Sequence, residues 1–370
     1  MKYADTHAHL DTFANRGELE KIVERARLAG VEKIVGCSTK SDEWLLYEHA
    51  AADFPGEVYW QIGIHPGEIS ENCEIALDSL GAFFASERPP VAIGEIGLDY
   101  YRPPADAEEF EAMKARQAEI FARQLELSNS FPDAKICMHA RESLSDCVRL
   151  ISEAGVDFSR VVFHCYSGTA KEILEINELG GRGSFTGIIT YKNAGQMREA
   201  MRAQGIGKLM LETDCPYLAP VPLRGSINEP SNIPVILRAA AEIFGVDEKY
   251  IADAAYENSV EFFGLSDEFF LYLFFADYRF LDVFASRSPM AFTFRSLQRR
   301  LPAAVQWRAR CEVYITHCGI FSPSNLPETE KICASPARGL RALQPVWVSA
   351  RNREKIVFAP RGDSRGGRSP

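Results

Sequence analysis

The sequence predicts an α/β fold: a (β/α)8 barrel of eight parallel strands, followed by an irregular C-terminal extension. Three observations lead there. Short β-branched runs recur roughly every thirty residues through the first 265 positions. Each run is followed by a charged stretch with helical periodicity. Histidines and acids gather at the C-terminal ends of the runs rather than along them.

The runs cover residues 3–6, 33–37, 58–64, 91–96, 135–139, 161–164, 183–185 and 208–212. After the first, an open doubly wound sheet would carry a glycine-rich phosphate loop, but Asp5-Thr6-His7-Ala8-His9 stands in that place and favours the closed barrel. The third run leads to His65, the fourth contains Glu95, the fifth and sixth end on His139 and His164, and Asp214 follows the eighth. In a parallel barrel all strands end on one face, so residues scattered over two hundred positions converge.

Residues 1–265 carry 25 Lys and Arg against 42 Asp and Glu, whereas residues 266–370 carry 16 against 9. That break sets the expected domain boundary. The second part is a basic, Arg-rich extension with no sustained apolar period, expected to be disordered or poorly folded. A sequence not selected to fold is favoured over an arm that holds nucleic acid.

A hydrophobic fraction of 46% and a charged fraction of 25% are those of an ordinary globular protein. The net charge of −10 argues against a general nucleic-acid coat. An odd set of nine cysteines without a Cys-x-x-Cys pair reads as free thiols, and no apolar leader or membrane span is expected, so a cytoplasmic location follows. The most apolar stretch, residues 269–284, is broken by Asp277, Arg279 and Asp282.

Side chains two apart on a strand share a face, so His7 and His9 can reach one ion. Six candidate ligands exceed one tetrahedral site. His7, His9 and Asp214 are assigned to one ion, His139 and His164 to a second, and Glu95 to both, with room for an attacking water between the ions. The cofactors expected are two divalent metal ions, Mg, Mn or Zn, and the barrel is of the metal-dependent hydrolase type. Glu95 and Asp214 double as catalytic groups. His49, within a helical stretch, and His317, in the extension, are read as ordinary structural histidines.

Asp5-Thr6-His7-Ala8-His9-Leu10-Asp11, Gly63-Ile64-His65-Pro66, Gly94-Glu95-Ile96-Gly97-Leu98-Asp99-Tyr100, Met138-His139-Ala140-Arg141, His164-Cys165-Tyr166-Ser167-Gly168 and the segment from Leu211 to Pro220 together resemble the successive signatures of the TatD family of metal-dependent deoxyribonucleases. The resemblance runs over about residues 1–265, to Asn258-Ser259-Val260-Glu261-Phe262-Phe263-Gly264. It implies a barrel hydrolase of the wider amidohydrolase superfamily, with metal ligands at the same six positions and DNA as substrate, commonly cut from single-stranded ends. Two departures stand out. Leu223 and Ser226 occupy places where the family often has His and Lys, and Gly67 follows Gly-Ile-His-Pro where a second His or an acidic stretch is common.

The expected activity is therefore hydrolysis of DNA phosphodiesters, with DNA the only partner inferred. Arg141 and His65 are assigned to substrate binding, Arg141 against the alternative of an ion pair in the barrel mouth. Asp99 is placed behind a ligand imidazole, and Cys165 and Cys215 are read as packing residues. The rival reading is hydrolysis of a small amide or ester. Strand four offers Glu95 rather than the lysine that many amidohydrolases carboxylate as a bridge, which shifts weight to the phosphodiester. A non-catalytic metal-binding protein is the remaining alternative.

Overall fold

A computed structural model describes residues 1–265, and the predicted extension, with His317, lies outside the described residues. Eight parallel strands form the barrel: β1 (Tyr3–Ala8), β2 (Val31–Cys37), β3 (Val58–Ile62), β4 (Ala92–Asp99), β5 (Lys135–Arg141), β6 (Val161–Phe163), β7 (Arg182–Phe185) and β8 (Met210–Leu211). They pair in sequence order. The ring closes between β8 and β1, where Thr6 Oγ1 donates to the Leu211 carbonyl at 3.2 Å, Asp214 N to His7 O at 3.0 Å and His9 N to Cys215 O at 2.8 Å.

Among the described residues ten α-helices surround the strands: α1 (Asp11–Ala14), α2 (Leu19–Leu28), α3 (Trp44–Asp53), α4 (Cys73–Phe83), α5 (Ala107–Ser128), α6 (Leu144–Glu153), α7 (Ala170–Leu179), α8 (Gly195–Gln204), α9 (Ile233–Phe244) and α10 (Glu248–Phe263). Their starts follow the sequence. Asp106 and Asp247 accept backbone N–H groups of the first turns of α5 and α10, and Thr169 with Glu172 forms a reciprocal capping box on α7. The main core lies between helices and strands, around Trp44, Tyr47, Trp60, Phe121, Phe163 and Phe185. His49 is exposed on α3, as an ordinary surface histidine. Among the described residues no helix is long and apolar enough to cross a membrane.

Run eight is shorter than expected. Lys208 lies in a 3-10 turn (Ile206–Lys208) before β8, and its Nζ donates to the carbonyls of Asn177, Gly180 and Gly181 at the end of α7. Capping that helix C-terminus, where carbonyls lack partners, outweighs extending the strand.

Strands four and five slip in register between Ile93 and Ile96, a bulge that re-aims Glu95. Glycine is required on both sides of it. A Cβ on Gly94 would meet Cys137 Cβ at 2.6 Å, and Gly97, at φ +142°, would press one to 2.0 Å from His139 O.

A second apolar cluster joins Val35, Ala92, Cys137, Val162 and Met210, from five of the eight strands, with Phe262, Phe263 and Leu265 from the end of α10. Arg182 and Lys135, the first residues of their strands, lie over the Phe262 ring, and Tyr59 donates to the Leu265 carbonyl at 3.0 Å. The end of α10 thus plugs the N-terminal mouth. A chain ended after Leu265 is expected to keep its cooperative unfolding transition and metal content, whereas a loss of either on removing residues 266–370 would move the domain boundary. Circular dichroism melting and elemental analysis read both.

Candidate metal centre

The strand ends bring all six predicted ligands together. His7 is on β1 and His9 just after it, Glu95 on β4, His139 on β5, His164 next to the end of β6, and Asp214 beyond β8. Asp214 and Cys165 sit at φ +54° and +45°, turns that direct the chain away from the strand just where the ligands are presented. Their backbone N–H groups hold both, Asp214 N donating to His7 O and Cys165 N to the Glu212 carboxylate Oε1 at 2.5 Å.

Glu95 is the hub. Its Oε1 lies 2.6 Å from His139 Nδ1 and 2.6 Å from His164 Nε2. Its Oε2 faces the other way, 3.4 Å from His7 Nε2 and 3.8 Å from His9 Nε2. Asp214 Oδ1 is 3.2 Å from His9 Nε2 and 3.8 Å from His7 Nε2. One carboxylate therefore presents an oxygen to each of two histidine groups.

These groups fit metal ions on two grounds. His7 Nε2 and His164 Nδ1 are buried without a hydrogen-bond partner, a costly state for an imidazole nitrogen. Compact sets of donors also recur: Glu95, His139 and His164 have ligand atoms within 4.8 Å of one another, as do His7, His9, Cys37 and Glu95. Asp214 touches the second set only through the two imidazoles.

The charges respond to this crowding. Burial, then the neighbouring His164, lowers the pKa of His7 to about 4. Burial also opposes charge on His9 and His139, yet Asp214 hydrogen-bonded to the former, and Asp99 and Glu95 to the latter, carry each up to about 9. Burial would raise Glu95, but His164, His65 and His139 hold it well below the usual carboxylate range. In the metal-free protein, imidazolium protons supply positive charge that ions would otherwise bring.

Behind the ligands stands a polar layer. Asp99 Oδ2 lies 3.1 Å from His139 Nε2, where the sequence placed it, turning His139 Nδ1 toward Glu95. The amide of Gln61 lies 3.3 Å from His7 Nδ1, and its Oε1 has no other partner; with that oxygen turned to the ring it accepts the Nδ1 proton and leaves Nε2 free. Helix α5 contributes two buried glutamines seven positions apart: Gln124 brackets the backbone of Ile64 beside His65, and Gln117 that of Asp99.

His65 arrives at the edge of the cluster, its Nε2 3.6 Å from Glu95 Oε1. Gly67 N donates to His65 Nδ1 at 2.9 Å, so the neutral ring carries its proton on Nε2, toward the centre. Burial, with His139 and His164 beside it, lowers the His65 pKa to about 4. Arg141 is exposed, stacks at 3.6 Å on the Tyr101 ring, and makes no ion pair among the described residues. Cys215 packs in the main core as expected, but Cys165 is half-buried and its Sγ faces Thr186 Oγ1 at 3.7 Å, because the left-handed turn swings it off the strand face.

Sequence reasoning missed Gln61, Cys37 and Glu212. Glu212, beneath His164, accepts from Ser184 Oγ at 2.6 Å, and burial raises its pKa to about 7. Its position at the end of run eight was the only signal available.

Comparison with known proteins places this geometry. The family model described as TatD related DNase matches residues 4–264. YabD of Bacillus subtilis, an uncharacterized metal-dependent hydrolase, is 32% identical over 266 residues, 71% of this chain and 99% of the relative. An uncharacterized metal-dependent hydrolase named TatD from Mycobacterium tuberculosis is 30% identical over 70% of this chain and 97% of its own length. Among solved structures, YjjV of Escherichia coli, a TatD homolog, superposes with a TM-score of 0.63 at 27% identity, covering 71% of this chain and 98% of that one.

Proposed function

The chain belongs to the family of TatD related DNases and is a metal-dependent hydrolase, and on that footing we propose that it cleaves DNA phosphodiesters, from single-stranded ends, at a two-ion centre. The observation that carries the proposal is the pair of Glu95 oxygens, one toward His7 and His9 and one toward His139 and His164. Two divalent ions, when bound there, supply the positive charge that draws in a phosphodiester and acidify the attacking water.

The protein's own groups do the rest. Asp214, whose carboxylate pairs with His9, takes a proton from the water, and the Nε2–H of His65 donates to a phosphate oxygen. Aromatic and guanidinium groups rim the mouth: Tyr101 under Arg141, Tyr191 under Arg224 at 4.5 Å, and Tyr217, 60% exposed, edge-on to His9. Such pairs stack bases and hold phosphates of a single strand without reading sequence. A cavity of about 300 Å³ beside His164, bounded by Ala140, Ser143, Tyr166 and Gly168, has room for one terminal nucleoside. The family's two missing rim cations are replaced here by Leu223, 39% exposed, and Ser226, whose Oγ closes a turn on the Leu223 carbonyl. The protein acts in the cytoplasm without a stable protein partner, in keeping with six described cysteines that are all free.

Labelled single-stranded DNA, duplex DNA and RNA, offered to metal-reconstituted protein beside a panel of small amides and esters, tests the reading. Turnover confined to amides or esters overturns it. Arg141→Ala should lower kcat/KM on the DNA by about 1.5 to 3 kcal/mol, the range for a hydrogen bond to a charged group, with metal content unchanged. Equal losses on DNA and on a neutral ester would make Arg141 a structural residue.

A further inference from the structure

Cys37, the last residue of β2, is fully buried. Its Sγ lies 3.4 Å from Glu95 Oε2, the oxygen that His7 Nε2 approaches at 3.4 Å and His9 Nε2 at 3.8 Å. Ligand atoms of these four residues all lie within 4.8 Å of one another. Around a tetrahedral ion with nitrogen and oxygen donors at about 2.0 to 2.1 Å and sulfur at about 2.3 Å, donor atoms are separated by about 3.3 to 3.6 Å. The three separations onto Glu95 Oε2 approach that pattern. Independently, His7 Nε2 is buried in the same set with no hydrogen-bond partner.

We propose that Cys37 is a thiolate ligand of the ion on the His7 and His9 side, which makes that half of the centre a zinc-class site rather than a magnesium site. The inference rests on the metal-centre reading above and narrows it. On coordination the S–H bond breaks, its proton leaves to solvent, and a sulfur electron pair forms the metal bond, so no oxidant or reductant is involved. Thiolate selects zinc over the hard cations that carboxylates and waters suit. Asp214, on the His9 side and outside the compact four-residue set, is then left as the proton acceptor.

The test is X-ray absorption on the full chain loaded with zinc alone, with cobalt alone as a second probe. The expected result is a zinc–sulfur shell at about 2.3 Å and a thiolate-to-cobalt charge-transfer band in the near ultraviolet, both lost in Cys37→Ser and in Cys37→Val. Zinc affinity should fall about tenfold or more in both variants, with manganese affinity changed less. Two substitutions guard against one that fails to fold, and Cys137→Ser, which removes the thiol on the far side of the His7 ring, should keep the sulfur shell. Bound zinc without a sulfur shell, or a shell that survives loss of Cys37, overturns the proposal while leaving the metal centre intact. Absence of bound metal in the unmodified chain overturns the centre itself.

Discussion

Glu95→Gln is expected to lower turnover at least about a hundredfold at saturating metal, because a neutral amide bridges two cations poorly. The geometry gives the reason in detail. Both carboxylate oxygens are engaged, Oε1 with His139 and His164 and Oε2 with His7 and His9. An amide offers one oxygen, and its NH2 group can be no ligand, so whichever way it turns one histidine group loses its shared donor. The register slip between Ile93 and Ile96 sets the backbone from which this side chain reaches both groups. Elemental analysis of the variant should show a lower metal content beside the lower kcat. Near-normal turnover with two ions bound per chain would remove Glu95 from its bridging role.

Stripping the metal with a chelator should abolish turnover, a loss of about a thousandfold or more, and adding back a divalent ion should restore it. The pH dependence has a definite sign. In the metal-free protein the pKa values of His9 and His139 stand near 9, above the ordinary imidazole value, because their acidic partners favour the charged ring. An ion must displace those protons, so its affinity rises with pH up to about 9 and falls as acid is added. The protein should accordingly bind the ion more weakly at about pH 6 than at about pH 8. Titration calorimetry at both values checks the slope, and a metal affinity indifferent to pH would mean that these imidazoles are not the ligands.

Much of this was legible in the chain. A strand alternates its faces and a parallel barrel aligns its strand ends, so His7, His9, His139, His164 and Glu95 could be gathered from spacing; the histidines stand at or near strand ends, whereas Glu95 lies mid-strand, four positions before the end of β4. Asp99 behind His139 was legible for the same reason, lying four positions after Glu95 on a strand that runs on to Asp99. The end of β8 was less legible, since Lys208 serves the C-terminus of α7 through a side chain whose partners are 27 to 31 positions away.

What the chain determined unaided was the repeating strand and helix pattern and six of the side chains that the barrel gathers, because periodicity and residue chemistry are local properties. Tertiary structure alone decided which donors share an oxygen of Glu95, how Gln61 and Gln117 turn the ligands and their supports, and that Cys37 belongs to the cluster at all. A thiol at the end of β2 and a carboxylate in a bulge of β4 have no common spacing rule; they meet only because closing eight twisted strands into a ring carries both to the barrel axis.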